Sequence, residues 1–496
     1  MTTFLGIDAG NTGVKAVLFD EKGGELARAF RDTGTTIPAP GFVERDIHRL
    51  RNDLEGLIIE VLDKSGKSGK DIAGIGTSGH GNGLYLLDKA HEPVIAIQSL
   101  DSRAAKLAAV WHQDGTAQAT EAICFQKPWA SQTPTLLAWM SRQQPEILSK
   151  TSHLLMCKDI VTHALTGQIV SDVSDMGGAG LLALPANVYS GELLDHYGLA
   201  RYSHVLPQLL WPTDIAGSVT GSVAKRTGLL SGTPVIAGFF DVVASAIGAG
   251  VTQIGKASVI MGTWSINQAI VPNPVPDIFM SCGIMPGRFM AMENSATSAT
   301  NLEWVSQHVM VGNKKAFTVA DRLAMETAVR ADAPLYHPYL YGGTQDPTAR
   351  AGLFGVAGWH SSGDVMRSIF EGVAFAHLEH LNRLKAKNVP TDYIVLSGGG
   401  SRSPVWPQML ADMLGQTVAV STQPEAGALG AAMAASVGIG RYDTLDHASS
   451  AMARPPKLVR PDLGRMSLYQ KRFQLWSALA TSLSPHWQAL KELACE

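Results

Sequence analysis

FLGIDAGNTGVKAVLFD, residues 4–20, places an aspartate, Asp8, at the end of an apolar run. Glycines, an asparagine and a threonine follow at once, and then a second apolar run begins. This reads as strand, tight turn, strand. EKGG and ELARAFRD add another turn and a third strand. Turns so short leave no room for a crossover, so the three strands form an antiparallel meander.

A turn of this composition raises three phosphate-binding possibilities. A Walker loop needs GxxxxGK[ST] between a strand and a helix, but here no Ser or Thr follows Lys15 and the next element is a strand. A dinucleotide fingerprint needs GxGxxG opening a helix, and this turn opens none. What remains is a hairpin whose backbone N–H groups cradle an anion, with Asp8 facing a hydrated Mg²⁺ on the same phosphates. A plain hairpin with Asp8 as a solvated turn residue fits the same residues.

Outward from the turn, Asp46 caps a helix over DIHRLRNDLEGLIIEVLDKSG, DIAGIGTSG returns to a strand, and GLYLLD adds another. Residues 101–170 read mainly helical. Near residue 250 the pattern restarts: KASVIMGTWSINQAIV is strand, small-residue turn, strand; FMSCGIMPGRFMAMEN is a hairpin; DYIVLSGGGSRSPVWPQMLADMLG is strand, glycine turn, helix. This is an internal repeat of pattern, not of identity. It places a domain boundary at 245–255, giving domains 1–248 and 249–496. A terminal amphipathic helix closes the chain, with Leu468, Phe473, Leu475 and Trp476 on or near one face.

The 496 residues have room for two to four domains at ~150 residues each. A composition 45% hydrophobic and 17% charged with 50 glycines is that of an ordinary globular chain, and a net charge of −3 gives no electrostatic case for nucleic acid or an anionic membrane. Cys124, Cys157, Cys282 and Cys495 stand far apart, so neither a zinc site nor a disulfide framework is indicated, and lone cysteines fill core space. TTFLGID carries no basic leader and no apolar run approaches ~20 residues, which points to a cytoplasmic protein.

Three more segments bear on the turn. In MGTWS, 261–265, Gly262 permits close backbone approach and Thr263 offers a hydroxyl. In LSGGGSRSPVW, 396–406, Gly398, Gly399 and Gly400 leave backbone exposed for a ligand. The small residues of EAGALGAAMAASVG, 425–438, suit a helix lying close against that glycine loop. In AGFFDVVASAIGAG, 237–250, Asp241 is a lone carboxylate in an apolar stretch, costly unless paired or used. It reads as a helix N-cap or as a general base.

Together these segments resemble the FGGY carbohydrate kinases, within the actin–hexokinase–Hsp70 ATPase superfamily. AGLFGVAGWHSSGDVMRSIFE, 351–371, fits the C-terminal signature, and SQTPTLLAWMSRQ, 131–143, resembles the N-terminal one, with Leu136 where the family usually has lysine. GTSGHGNGLYLLD, GFVERD, DSRA, DVSDMGG, NLEW and YGGTQDPTARAGLFG fall in family order, so the likeness runs from residue 4 to about 480. FFDVV, MGTW, NLEW and the helix at 371–383 look most like L-xylulose kinases and related ketopentose kinases.

The resemblance implies an α/β chain of two ribonuclease-H-like (actin-like ATPase) domains with an interdomain active-site cleft. It implies ATP and Mg²⁺, transfer of the γ-phosphoryl group to a primary hydroxyl of a small sugar, and a dimer, which is common in the family. Carried over by position, Asp8 holds Mg²⁺. Asn11, which stands where the family more often has threonine, lies with Thr12 in the first phosphate turn. Gly262 and Thr263 form the second turn, residues 398–400 border the nucleotide, and Asp241 is the catalytic base. His80 and Asn82 occupy the turn that reads sugar hydroxyls, where glycerol kinases show Arg-Glu, which argues against glycerol. Asp101 joins the sugar set, with a structural ion pair to Arg103 as its alternative, and His80 has the alternative of a satisfied buried histidine. Other acceptors (D-xylulose, ribulose, a tetritol or glycerol) and a non-catalytic sugar-responsive ATP-binding protein remain open at this point.

Overall fold

The computed structural model describes residues 2–310, 315–343 and 346–493, without the side chains of Cys282, Gly283 and Lys491. Thr344 and Gln345 of the YGGTQDP segment and Cys495 therefore lie outside the described residues. The chain forms two compact units: Met1–Ile254 with Ile270–Ala291 and Gln423–Arg454, and Gly255–Ala269 with Met292–Thr422 and Pro455–Glu496.

The first unit is built on six strands: β1 (Thr3–Ala9), β2 (Gly13–Asp20), β3 (Glu25–Asp32), β4 (Ile72–Gly79), β5 (Ile215–Ser218) and β6 (Pro234–Phe240). They run in the order β5-β6-β4-β1-β2-β3. β1, β2 and β3 are the antiparallel meander read from the sequence. β4 lies parallel to both β1 and β6, and β5 returns antiparallel. β1 is buried nearly throughout, as a central strand covered on both faces requires. Helix Ile47–Ser65 covers one face through Leu50, Leu54, Leu57, Ile58 and Val61; Asp46 caps it as expected, accepting from the His48 and Arg49 amides.

Helix Ala426–Gly438 belongs to this unit. Its small residues lie on β1, β4 and helix Asp241–Gly248. A Cβ at Gly6 would stand 2.0 Å from Ala428 O, and one at Gly76 would stand 1.8 Å from Ala431 O. Only glycine at these strand positions admits the helix backbone. Leu136, on helix Thr133–Gln143, is wholly buried in a core with Leu137, Met140 and Trp111, which accounts for an apolar residue there.

The second unit's strands β7 (Lys256–Met261), β8 (Ser265–Val271), β9 (Tyr393–Ser397), β10 (Val418–Val420) and β11 (Lys457–Val459) run in the order β8-β7-β9-β10-β11. The pairings are antiparallel, parallel, parallel and antiparallel. That repeats the order and direction of β2-β1-β4-β6-β5, so the repeat of sequence pattern is a repeat of topology. The terminal helix, Leu463–Leu493, buries Tyr469, Arg472 and Trp476, whereas Leu475 is 56% exposed and leaves the apolar stripe. Arg472 and Arg367 both bind Glu371, at 2.7 and 3.2 Å, fixing this helix to helix Ser362–Ala386. Among the described residues no helix is long and apolar enough to cross a membrane.

Candidate active site

β6, β4 and β1 are neighbouring parallel strands, and ligands of open α/β sheets gather at the carboxyl ends of such strands. Asp8 lies at that end of β1, beside Ser78 on β4. Asp241 follows β6 directly, one residue past the pairing of Phe240 with Gly79. One strand therefore separates two carboxylates. Ser78 Oγ donates to Asp8 Oδ1 at 2.8 Å. Burial raises the Asp8 pKa against the lowering by Ser78 and Lys15. Burial, reinforced by the charge of Asp8, holds the Asp241 carboxyl well above the usual range. Asp241 is the first residue of helix Asp241–Gly248, whose N-cap is Phe240, so it is not the cap itself.

The turn after β1 closes with Gly10 N donating to Gly13 O at 2.9 Å. Asn11 faces its own unit: its Nδ2 donates to Ser99 Oγ at 2.9 Å, and its carbonyl accepts from Thr33 Oγ1 and Gln98 Nε2. Thr12 is exposed at the tip. The hydroxyl on offer at this turn is thus that of Thr12.

Of the residues expected to read the sugar, Asn82 is buried at a left-handed φ of 60°. Its Nδ2 donates to Gly178 O at 3.3 Å, and its Oδ1 has no hydrogen-bond partner among the described residues. His80 is a satisfied buried histidine: Nε2 lies 2.8 Å from the Tyr85 hydroxyl and Nδ1 3.3 Å from Gly81 O. Burial, then the Arg45 charge, push its pKa down to about 3, so the ring is neutral. Asp101 is engaged in structure. Its two oxygens accept from Val43 N and from the amide, Nε and Nη2 of Arg103 at 2.7–3.0 Å. The ion pair to Arg103 is present and, with Val43 N, occupies the carboxylate's lone pairs.

The sequence reading missed a charged cluster behind this turn. Lys158 Nζ pairs with Asp159 and, at 2.7 Å, with Asp172; Asp175 lies 3.7 Å away, and all four side chains are buried. Neither Asp175 oxygen has a hydrogen-bond partner among the described residues, and a Cβ at Gly81 would stand 3.1 Å from Asp175 Oδ1. The signal was present in CKDIVTHALT and VSDVSDMGG, where isolated charges stand in apolar runs at the same cost that singled out Asp241.

In the second unit the structure brings together the two segments expected to border the nucleotide. A Cβ at Gly398 would stand 2.7 Å from Met261 O, and one at Gly400 would stand 2.6 Å from Met261 Cγ, so the glycine loop rests on the residue preceding Gly262. Gly398, Gly399 and Thr263 are exposed. Among the described residues no cluster of three His, Cys, Asp or Glu could hold a metal ion. Asp8, a single carboxylate, suits Mg²⁺, which keeps most of its waters and takes one or two carboxylates beside phosphate oxygens.

Residues 3–248 match the N-terminal domain of the FGGY family of carbohydrate kinases, and residues 257–439 match its C-terminal domain. The chain is 32% identical over 495 residues to an L-xylulose/3-keto-L-gulonate kinase of Escherichia coli (strain K12), covering 99% of each chain. It is 29% identical to a probable L-xylulose kinase of Pasteurella multocida (strain Pm70), covering 97% of this chain and 99% of the relative. A xylulose kinase structure from Rhodospirillum rubrum superposes with a TM-score of 0.90 at 25% identity, covering 98% of this chain and 100% of that one. The chain belongs to the FGGY family of carbohydrate kinases and is an ATP-dependent sugar kinase of actin-like ATPase fold.

Proposed function

We propose that this kinase transfers the γ-phosphoryl group of ATP to a primary hydroxyl of a small ketopentose, with L-xylulose the preferred acceptor. The observation that carries the acceptor is the 32% identity, over 99% of both chains, to a kinase named for L-xylulose and 3-keto-L-gulonate. The buried Oδ1 of Asn82 supports a polyhydroxyl ligand, since it lacks a donor that a sugar hydroxyl supplies.

Asp241 takes the proton of the attacking hydroxyl. Its burial makes it a better proton acceptor than an exposed carboxylate. In phosphoryl transfer the base acts late, and most of the rate comes from positioning. The backbone turns at Thr12 and at Gly262 and Thr263 orient the phosphates through N–H groups and hydroxyls, and residues 398–400 border the nucleotide. Asp8 holds the water shell of Mg²⁺, which when bound offsets charge on the phosphates.

The test is a coupled ADP-release assay with L-xylulose, 3-keto-L-gulonate, D-xylulose, ribulose, a tetritol, glycerol and no sugar. The highest kcat/KM is expected with L-xylulose. A higher value with 3-keto-L-gulonate or any other acceptor overturns the assignment.

A further inference from the structure

Helix Ser362–Ala386 carries two histidines, His377 and His380, three residues apart and therefore on one face. Both are wholly buried, and the groups they meet are polar. Ser265 and Asn267, two apart on β8, point to that same face. Ser298 arrives from the segment that follows Arg288–Ser295.

The contacts to Asn267 and Ser298 fix the tautomer of His377, and the Ser265 hydroxyl also lies 3.1 and 3.3 Å from its two ring nitrogens. His377 Nδ1 lies 3.0 Å from Asn267 Oδ1, which can only accept, so Nδ1 carries the proton. Asn267 Nδ2 donates to His380 Nδ1 at 2.8 Å. His377 Nε2, unprotonated in this tautomer, accepts from the Ser298 hydroxyl at 2.9 Å. Burial pushes the His377 pKa down to about 3, so the neutral ring that this tautomer requires is the one present near neutral pH.

Ser298 then reaches the phosphate turn. Its amide donates to Thr263 O at 3.0 Å, Ala299 N donates to Gly262 O at 3.0 Å, and Thr300 Oγ1 donates to Thr263 O at 2.9 Å. In a trans peptide the carbonyl and the N–H point in opposite directions. Anchoring Gly262 O on residue 299 therefore aims the Thr263 N–H away from residues 298–300. Thr263 is exposed at the tip of this hairpin, while the network beneath it is buried.

We propose that His377 is a positioning residue for ATP: through Ser298 it fixes the peptide planes of Gly262 and Thr263 and so aims the turn at the phosphates. The inference rests on the reading of that turn as a phosphate site. A preformed donor array costs no reorganisation when the phosphate arrives, which is where such an array gains its strength.

The test is steady-state kinetics, varying ATP and sugar separately, on His377→Leu, His377→Gln, Ser298→Ala and Thr263→Val. His377→Leu is expected to raise the KM for ATP at least tenfold and leave the sugar KM within twofold. His377→Gln, which retains an acceptor and a donor, recovers part of the loss. Ser298→Ala moves the ATP KM in the same direction, and the His377→Leu, Ser298→Ala double variant is no worse than His377→Leu alone. If His377→Leu does not fold, Ser298→Ala and His377→Gln decide the question. An ATP KM within twofold of wild type in those variants, or ATP and sugar KM values rising together, overturns the proposal. Thr263→Val separates the two levels. If it weakens ATP and the His377 and Ser298 variants do not, only the positioning role fails; if it too leaves ATP unaffected, the positioning role and the Thr263 hydroxyl contact to phosphate both fail.

Discussion

Asp8 and Gly427 are packed so closely that a Cβ on Gly427 would stand 2.8 Å from Asp8 Oδ2, while Ser78 holds the other oxygen of the same carboxylate at 2.8 Å. The carboxylate proposed to face Mg²⁺ is thus steered from both sides. Gly427 lies in a helix, where alanine is the better helix former by about 1 kcal/mol. Gly427→Ala should therefore fold, and the added methyl should displace Asp8. The Mg²⁺ concentration giving half-maximal rate is expected to rise several-fold, measured by Mg²⁺ titration at saturating ATP and sugar. An unchanged Mg²⁺ profile would remove Asp8 from the metal role.

Asp241→Asn removes the proton acceptor and keeps the shape. Loss of a general base lowers rates by roughly 10²–10⁴-fold. Sugar-dependent kcat should fall by that order, with ATP KM little changed and the circular dichroism spectrum intact. Near wild-type kcat in this variant would exclude Asp241 as the base.

Asp175→Asn addresses the buried cluster. Burial raises the Asp175 carboxyl well above 3.8, against the lowering by Lys158. A group whose folded pKa is raised contributes its stability below the unfolded pKa and loses it as pH rises through the folded value. The asparagine variant does not titrate, so its melting temperature relative to wild type should climb as pH is raised above 3.8. Thermal melts across that range test this, and a difference that is flat or falls with pH refutes it.

Gly398 and Gly399 are neighbours with opposite expectations. Gly398 has φ +86°, and a Cβ there would strike Met261 O; a Cβ on Gly399 finds nothing nearer than Arg402 Nη2 at 3.8 Å. Gly398→Ala should cost about 1–3 kcal/mol from backbone strain alone, read as a lowered melting temperature. Gly399→Ala should keep the melting temperature and raise the KM for ATP, because its methyl projects where the nucleotide is proposed to lie. A normal ATP KM in Gly399→Ala would move the nucleotide off this loop.

The meander, the restart after residue 250, the cap at Asp46 and the lone carboxylates Asp8 and Asp241 were all legible in the chain. Each depends on neighbours within a few residues: apolar alternation, turn composition, or a charge in an apolar run. Helix Ala426–Gly438 was legible as a helix of small residues, but not its partner. The glycines that receive it, Gly6 and Gly76, lie some 350 to 420 positions away. Leu475 was placed on the apolar face because helical spacing alone does not say which part of a broad stripe is covered.

The sequence by itself determined the strands, the turns and the residue types offered at each turn, because backbone geometry and local charge cost are short-range properties. The tertiary structure decided what each polar side chain does there. Asn11 turns to Ser99, Asp101 is occupied by Arg103 and Val43, three aspartates surround Lys158, and His377 reaches Ser298. A buried polar group must find a partner, and which partner it finds is set by elements brought together from distant parts of the chain.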